Sequence, residues 1–350
     1  MKAMTLMRSL REITLLPLLA ALAACNDGGR TVLTVYSPHG KELLAHYEEG
    51  FEKANPDVDV QWEEMGSQEI LDRVRTERDA PRADVWFGAP SELFARAAAE
   101  GLLDTLTPSW AGAVPTNAKD SGGTWFGTYL TPEVIAYNSN FVSEGEAPLD
   151  WRAVATPRWK GRVVIRDPVA SGTMRAIFGA IMQRSIEETG KTDSGWALLR
   201  RIDANTKSYA SNPQAMYDAL SKGDGWITLY NMPDIAGLAR RTGAPVKYTV
   251  PSEGTPVLVD AIAFIKGSAN RTFSGRFIEY VTSSDALRFA ADSLDRIPVR
   301  NDIPDTALPA WVVSARTGIK ALSLDHALMA DSLDIWMRAW DSAVRGRNVR

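Results

Sequence analysis

Short apolar runs alternate along this chain with stretches whose hydrophobic residues recur at helical spacing, and that alternation restricts the fold more than any other feature. Residues 31–36 are rich in β-branched and apolar side chains and read as a buried strand. Residues 42–54 place Leu43, Leu44, Tyr47 and Phe51 on one helical face, and Asn55-Pro56 stops the helix. A strand at 58–62, a helix through Ile70, Leu71 and Val74, a strand at 83–87 and a helix at 93–100 continue the series. Such alternation predicts an α/β fold, a mostly parallel sheet with helices on both faces. The series then restarts. Strand 162–166 precedes helix 171–184; helix 212–222, strand 226–230 and helix 233–241 follow. A late strand at 257–265 leads to helices at 273–282 and 285–293. Two α/β blocks with a late return strand predict two lobes, with chain crossings near 127–137 and 254–263.

Cys25 is the only cysteine in the 350 residues. Before it stand Lys2, Arg8 and Arg11, an apolar run over 13–24, and the small-residue sequence Leu22-Ala23-Ala24-Cys25. A basic segment, a short apolar segment and small residues make a secretory signal, since the run is too short to span a bilayer. With one cysteine there is no internal disulfide, and thiolate metal sites and cysteine nucleophiles are excluded from the body of the chain. A net charge of −4 gives no reason to expect nucleic acid or an anionic membrane as partner.

The residues that can carry chemistry cluster where strands end. Ser171-Gly172-Thr173 follows a strand and opens a helix, so unpaired N–H groups and the positive dipole end face outward. Gly172 lets the backbone approach a ligand, and the flanking hydroxyls can donate to an oxyanion; helix capping by Ser171 is the plainer alternative. Ser37-Pro38-His39 occupies the matching place after the first strand, where ligands usually sit in open α/β sheets. A charge on His39 near neutral pH would favour anions. Gly88 and Ala89 follow the third strand, and Tyr230 and Asn231 end a strand of the second block. Trp86, Trp125 and Trp226 can wall a cleft or fill a core, and Asp260 can orient a ligand amine. No Gly-x-Ser-x-Gly elbow or His-Glu-x-x-His pattern occurs, so a periplasmic hydrolase stays a distant alternative.

Trp159-Lys160-Gly161 followed by Asp167-Pro168-Val169-Ala170-Ser171-Gly172-Thr173 resembles the second-lobe signature of extracellular solute-binding proteins of the ferric-ion type. Val35-Tyr36-Ser37-Pro38-His39, Ala83-Asp84-Val85-Trp86, and the stretch from Phe277-Ile278-Glu279-Tyr280 to Ile297-Pro298-Val299-Arg300 are similar to the same family. The resemblance implies a two-lobed periplasmic-binding-protein fold of type II that closes on a solute and delivers it to the permease of an ABC importer. It implies no cofactor and a monomer. The lobes are expected at 26–130 with 257–310 and at 131–256, and the helical segment 311–350 is expected to pack on the first lobe. The leader resembles a lipoprotein signal, which implies lipidation of Cys25 and contact with the membrane only through that anchor. One departure concerns the ligand. Ferric-ion binders of this kind offer two adjacent tyrosines where this chain has Tyr230-Asn231-Met232-Pro233, and Gly88-Ala89 replaces an acidic ligand. A trivalent ion needs several anionic oxygens. Family members lacking the tyrosine pair are similar to binders of phosphorylated or phosphonate-bearing solutes, so a small anion is expected, with a ferric ion completed by a bound anion as the alternative.

Overall fold

The computed structural model describes residues 29–322 and 324–345, so the lipidation expected at Cys25 lies outside the described residues. Three strand–helix units open the chain: β1 (Thr31–Ser37) with α1 (Lys41–Ala54), β2 (Val58–Glu64) with α2 (Ser67–Thr76), and β3 (Val85–Pro90) with α3 (Ser91–Ala99). The three strands pair in parallel, and α1 buries Leu43, Leu44, Tyr47 and Phe51, the stripe its sequence spacing sets on one face. A short β4 (Leu103–Asp104) precedes β5 (Phe126–Asn138).

The second block runs α4 (Trp151–Val154), β6 (Val163–Arg166), α5 (Gly172–Thr189), α6 (Asp193–Asn205), β7 (Thr206–Ala210), α7 (Pro213–Lys222), β8 (Ile227–Asn231), α8 (Met232–Thr242) and β9 (Val246–Thr249). The chain returns through β10 (Thr255–Ile265), α9 (Arg271–Val281), α10 (Ser284–Ser293) and β11 (Ile297–Pro298). It ends with α11 (Ala310–Gly318), β12 (Ala321–Leu322) and α12 (His326–Ala343).

The strand order β2-β1-β3-β10-β5-β8-β6-β7 places β5 at the centre of the molecule. Its first half, Phe126 to Pro132, pairs antiparallel with β10 beside the first lobe's strands. Its second half, Glu133 to Tyr137, pairs antiparallel with β8 in the second lobe. One strand therefore serves both sheets, and the handover falls between Pro132 and Glu133. Any change of angle between the lobes must bend this strand and its partner β10.

The C-terminal segment corrects the expectation that it packs on the first lobe. Helix α11 does so, with Val312 and Trp311 against the first-lobe cluster. By contrast α12 inserts Met329, Trp336, Met337 and Trp340 into the core of the second lobe, against α5. The reason is apolar area: Trp340 is fully buried, with Phe178 of α5 edge-on at 5.5 Å. The same helix also reaches across to the first lobe. Asp334 pairs with Arg175 of α5, which is almost wholly buried, and with Arg96 of α3 at 2.9 Å. Beyond α12, Arg345 pairs with Asp167, in the loop that leads to α5.

Candidate functional site

Between the lobes lies a cavity of about 330 Å³, large enough for a small solute. Its second-lobe wall is built from three helix N-termini. Ser171 caps α5 by accepting from the Met174 N–H at 3.3 Å, Asn212 caps α7 from Ala215 at 2.8 Å, and Asn231 caps α8 from Asp234 at 2.9 Å. The first-lobe wall adds the start of α2, where Gly66 and Ser67 face the cavity. Four helix starts therefore turn their unpaired N–H groups and positive dipole ends toward one space. The lobes meet at its rim. A Cβ on Gly172 would lie 3.0 Å from Pro90 Cγ, and one on Gly66 would lie 3.4 Å from the carbonyl oxygen of Ala170.

The loop before α5 is held in shape from several sides. Asp167 Oδ1 accepts from the Val169 N–H at 2.9 Å, its carbonyl accepts from Ser171 at 3.0 Å, and its other carboxylate oxygen pairs with Arg345. The start of α5 at Ser171, Gly172 and Thr173 is thus held in place by the loop before it. Arg166, at the end of β6, lines the cavity nearly fully buried, and its Nε has no partner among the described residues.

His39 reaches the cavity from the first lobe, and its ring packs edge-on against Phe87 at 5.0 Å and Tyr129 at 6.0 Å. Burial pushes the imidazole down to about 3, with Arg296 adding to the effect, so it is neutral at physiological pH. This corrects the expectation of a charged histidine: it offers a neutral ring whose buried Nε2 is unpaired among the described residues. Ser37 does not enter the cavity. It is fully buried, and its Oγ accepts from the His39 N–H at 3.2 Å, so it positions the histidine. Gly88 is likewise a support, since at φ 92° a Cβ would sit 2.5 Å from His39 Nε2. Ala89 lines the cavity at φ 94°, a conformation that costs a non-glycine residue about 1–3 kcal/mol and that turns Pro90 toward the second lobe.

Tyr230 and Asn231 both line the cavity. Burial, with Asp234 adding to it, raises the Tyr230 hydroxyl well above its ordinary value, the opposite of what a tyrosinate ligand to a ferric ion requires. The three tryptophans are not cleft walls. Trp86 is fully buried on Phe94, Trp226 stacks on Phe141 at 5.3 Å, and Trp125 lines a separate apolar cavity behind the cleft with Met329 and Leu333. Indole area draws each into apolar packing rather than toward the polar strand ends.

Several residues of the site escape a local reading of the sequence. Arg296, just before β11, is buried and donates from Nη2 to Asp234 Oδ1 at 2.9 Å, bridging the lobes across the cavity. Burial alone would raise Asp234, but Arg296 and Asn231 outweigh it and hold the carboxyl below its ordinary value. On the floor, Thr131 of β5 donates to Asp260 of β10 at 2.8 Å. Burial pushes Asp260 up to about 6 against the pull of Thr131 and Arg296. Two residues beyond Thr131, on the same face of β5, stands the fully buried Glu133. Burial raises it well above the carboxylate range, and Asp260 raises it further.

Two α/β lobes joined by shared strands, with a polar cavity at their strand ends, define a bacterial solute-binding protein. The chain belongs to the bacterial extracellular solute-binding protein family, whose model matches residues 47–316. It is 27% identical over 316 residues to a probable ABC transporter periplasmic-binding protein of Sinorhizobium fredii, covering 89% of this chain and 86% of that one. It is 24% identical over 332 residues to a putative 2-aminoethylphosphonate-binding periplasmic protein of Salmonella typhimurium, covering 91% and 94%. Among solved structures, the periplasmic binding protein AfuA from Actinobacillus pleuropneumoniae, with exogenous fructose-6-phosphate bound, superposes with a TM-score of 0.78 at 20% identity, covering 91% of this chain and 99% of that one.

Proposed function

We propose that this protein is the capture component of an ABC importer and that its solute bears a phosphate, phosphonate or carboxylate group seated at the start of α5. The observation that carries the reading is the convergence of unspent donors: helix N-termini from both lobes, the Ser171 and Thr173 hydroxyls, and buried Arg166 with a free Nε. An oxyanion satisfies these groups together, whereas a bare cation satisfies none of them. Closing of the lobes then surrounds the solute, and the closed form is what a permease reads. A lipid at Cys25 would keep the protein beside that permease, and the sequence Leu22-Ala23-Ala24-Cys25 supports it.

The test is calorimetry of the purified protein with a panel of phosphate esters, alkylphosphonates and carboxylates. The double change Ser171→Ala with Thr173→Ala removes two donors, each worth roughly 1.5–3 kcal/mol to a charged partner. The loss of the Ser171 cap should cost folding only about 1 kcal/mol. Affinity should therefore fall by two orders of magnitude or more while the fold persists. Unchanged affinity for a binding anion would remove the cradle from the reading.

A further inference from the structure

Three helices of the second lobe begin at the cavity, and one of them comes with an anion of its own. Helices α5 and α7 carry no acidic residue in their first turns, whereas α8 carries Asp234. That carboxylate lines the cavity and collects donors from both lobes. Its Oδ1 accepts from Arg296 Nη2 at 2.9 Å. Its Oδ2 accepts from Asn231 Nδ2 at 2.9 Å and from the Tyr217 hydroxyl at 3.2 Å. With the positive end of α8 added, these are the surroundings that bind an anionic group of a solute. Arg296 is itself more than nine-tenths buried, and its Nε has no partner among the described residues. The seat is therefore larger than one carboxylate needs.

The other charges of the wall decide what a solute can carry. Of the two lining arginines, Arg296 is spent on Asp234, and Arg166 has no carboxylate partner among the described residues. Against them the wall sets four acids: Glu64, Glu69, Asp234 and Asp260. Arg296 and Asn231 hold Asp234 ionised, because they outweigh its burial. Once one anionic group has taken Arg166 and the start of α5, a second meets carboxylates and no free cation. In a cavity walled off from water that repulsion is far stronger than in solution.

We infer that Asp234 is a built-in counter-anion that restricts the site to solutes with a single anionic group, because it fills a second anion seat formed by Arg296 and the start of α8. This rests on the anion reading above and adds to it the residue that rejects a second charge. Asp234 selects by exclusion: the attractive seat exists, and the protein keeps it occupied.

The test uses probe pairs that differ in one charge and hardly in shape: an ω-phosphonoalkanoate with its ω-phosphonoalkanamide, and an alkanedioate with its monoamide. Each is titrated calorimetrically into the full chain. Wild type should favour the amide of a pair by about 30-fold or more, the scale of like charges forced together. Asp234→Asn keeps the shape of the side chain and frees Arg296. It should raise the absolute affinity for the doubly anionic probe by about tenfold or more. Adding Arg296→Gln should take that gain away. A folding defect weakens every probe and strengthens none, so the gain separates selection from stability. Arg296→Gln alone leaves Asp234 without its cation and should widen the preference for the amide. If wild type binds the doubly anionic probe as tightly as its amide, the inference falls and the α5 cradle stands. It falls equally if Asp234→Asn brings no gain, if the gain survives the loss of Arg296, or if Arg296→Gln alone narrows the preference. If no probe of either pair binds the wild-type protein, the anion reading fails, and the counter-anion falls with it.

Discussion

Gly172→Ala gives the sharpest test of lobe closure, because one methyl group acts on one state only. In this structure, where the lobes meet at Gly172, the added Cβ would lie 3.0 Å and 3.1 Å from Pro90 Cγ and Cδ and 3.3 Å from Ser67 Oγ. Ordinary contact begins near 3.4 Å, so the methyl overlaps a ring that cannot swing aside. Pro90 follows Ala89 at φ 94°, a backbone already confined. Overpacking of this degree costs about 1–3 kcal/mol. In the open form Pro90 and Ser67 move away with their lobe, and no cost arises. There the change lies in the first turn of a helix, where replacing glycine stabilises a fold by about 0.4–1 kcal/mol. The closing equilibrium therefore shifts by roughly 1–3 kcal/mol against the bound form, which is about 5- to 150-fold in affinity. Calorimetry with the tightest anion of the panel reads that loss, and small-angle scattering reads a ligand-saturated form that stays more open than wild type. Thermal melting without ligand should stay level or rise. Affinity within twofold of wild type, or a fall in melting temperature that accounts for the lost binding, would refute the wedge.

The pH dependence of stability should reveal His39. Its folded value is depressed to about 3 from 6.5, so its contribution is complete above 6.5 and is lost as pH falls toward 3, when the unfolded chain takes up a proton that the folded chain refuses. Asp260 is raised to about 6 from 3.8, so its contribution is complete below 3.8 and is lost as pH rises through 6. The two oppose one another between about pH 4 and 6, where the raised Glu133 acts on the same side as Asp260. His39→Asn should make stability rise on acidification, by up to about 1.4 kcal/mol per pH unit; parallel denaturant-midpoint profiles for the two proteins would count against the buried neutral ring. Arg96→Ala cuts the link from α3 to Asp334 but leaves Arg175 paired, so folding should change by only about 0.2–1 kcal/mol. The ligand-free protein should nevertheless scatter as a more open particle, and an unchanged scattering curve would show that the pair does not hold the lobes.

The strand-end rule makes much of this site legible in the sequence. His39, Ala89, Ser171, Gly172, Thr173, Tyr230 and Asn231 all lie in or just after the carboxyl ends of strands and all line the cavity. Arg166 obeys the same rule at the end of β6, and its charge next to Asp167 is a signal available locally. Ser37 and Gly88 follow strands too, yet they support His39 from beneath, because alternation along an extended chain sends only every second side chain to one face. Glu133, Thr131 and Arg296 have no such signal. Thr131 and Arg296 reach the cavity, and Glu133 lies buried beside it, through β5, which passes between two sheets, and through β11, which pairs with it from far along the chain. Strand β7 is similarly hidden: Lys207 and Ser208 are exposed on a sheet edge, so the apolar run that marks a buried strand is missing. The home of α12 was decided by tertiary fit, since both lobes offered an apolar face and the pattern of the helix names neither.

Helix α12 and Arg345 tie together parts of the second lobe that lie far from them in sequence. Without them the second lobe lacks Trp340 in its core, Arg175 lacks its carboxylate, and the loop at Asp167 lacks its clamp. The loop before α5 is thus braced from 178 residues away in sequence. A chain shortened before α12 should keep both sheets and lose this brace together with the Trp340 packing.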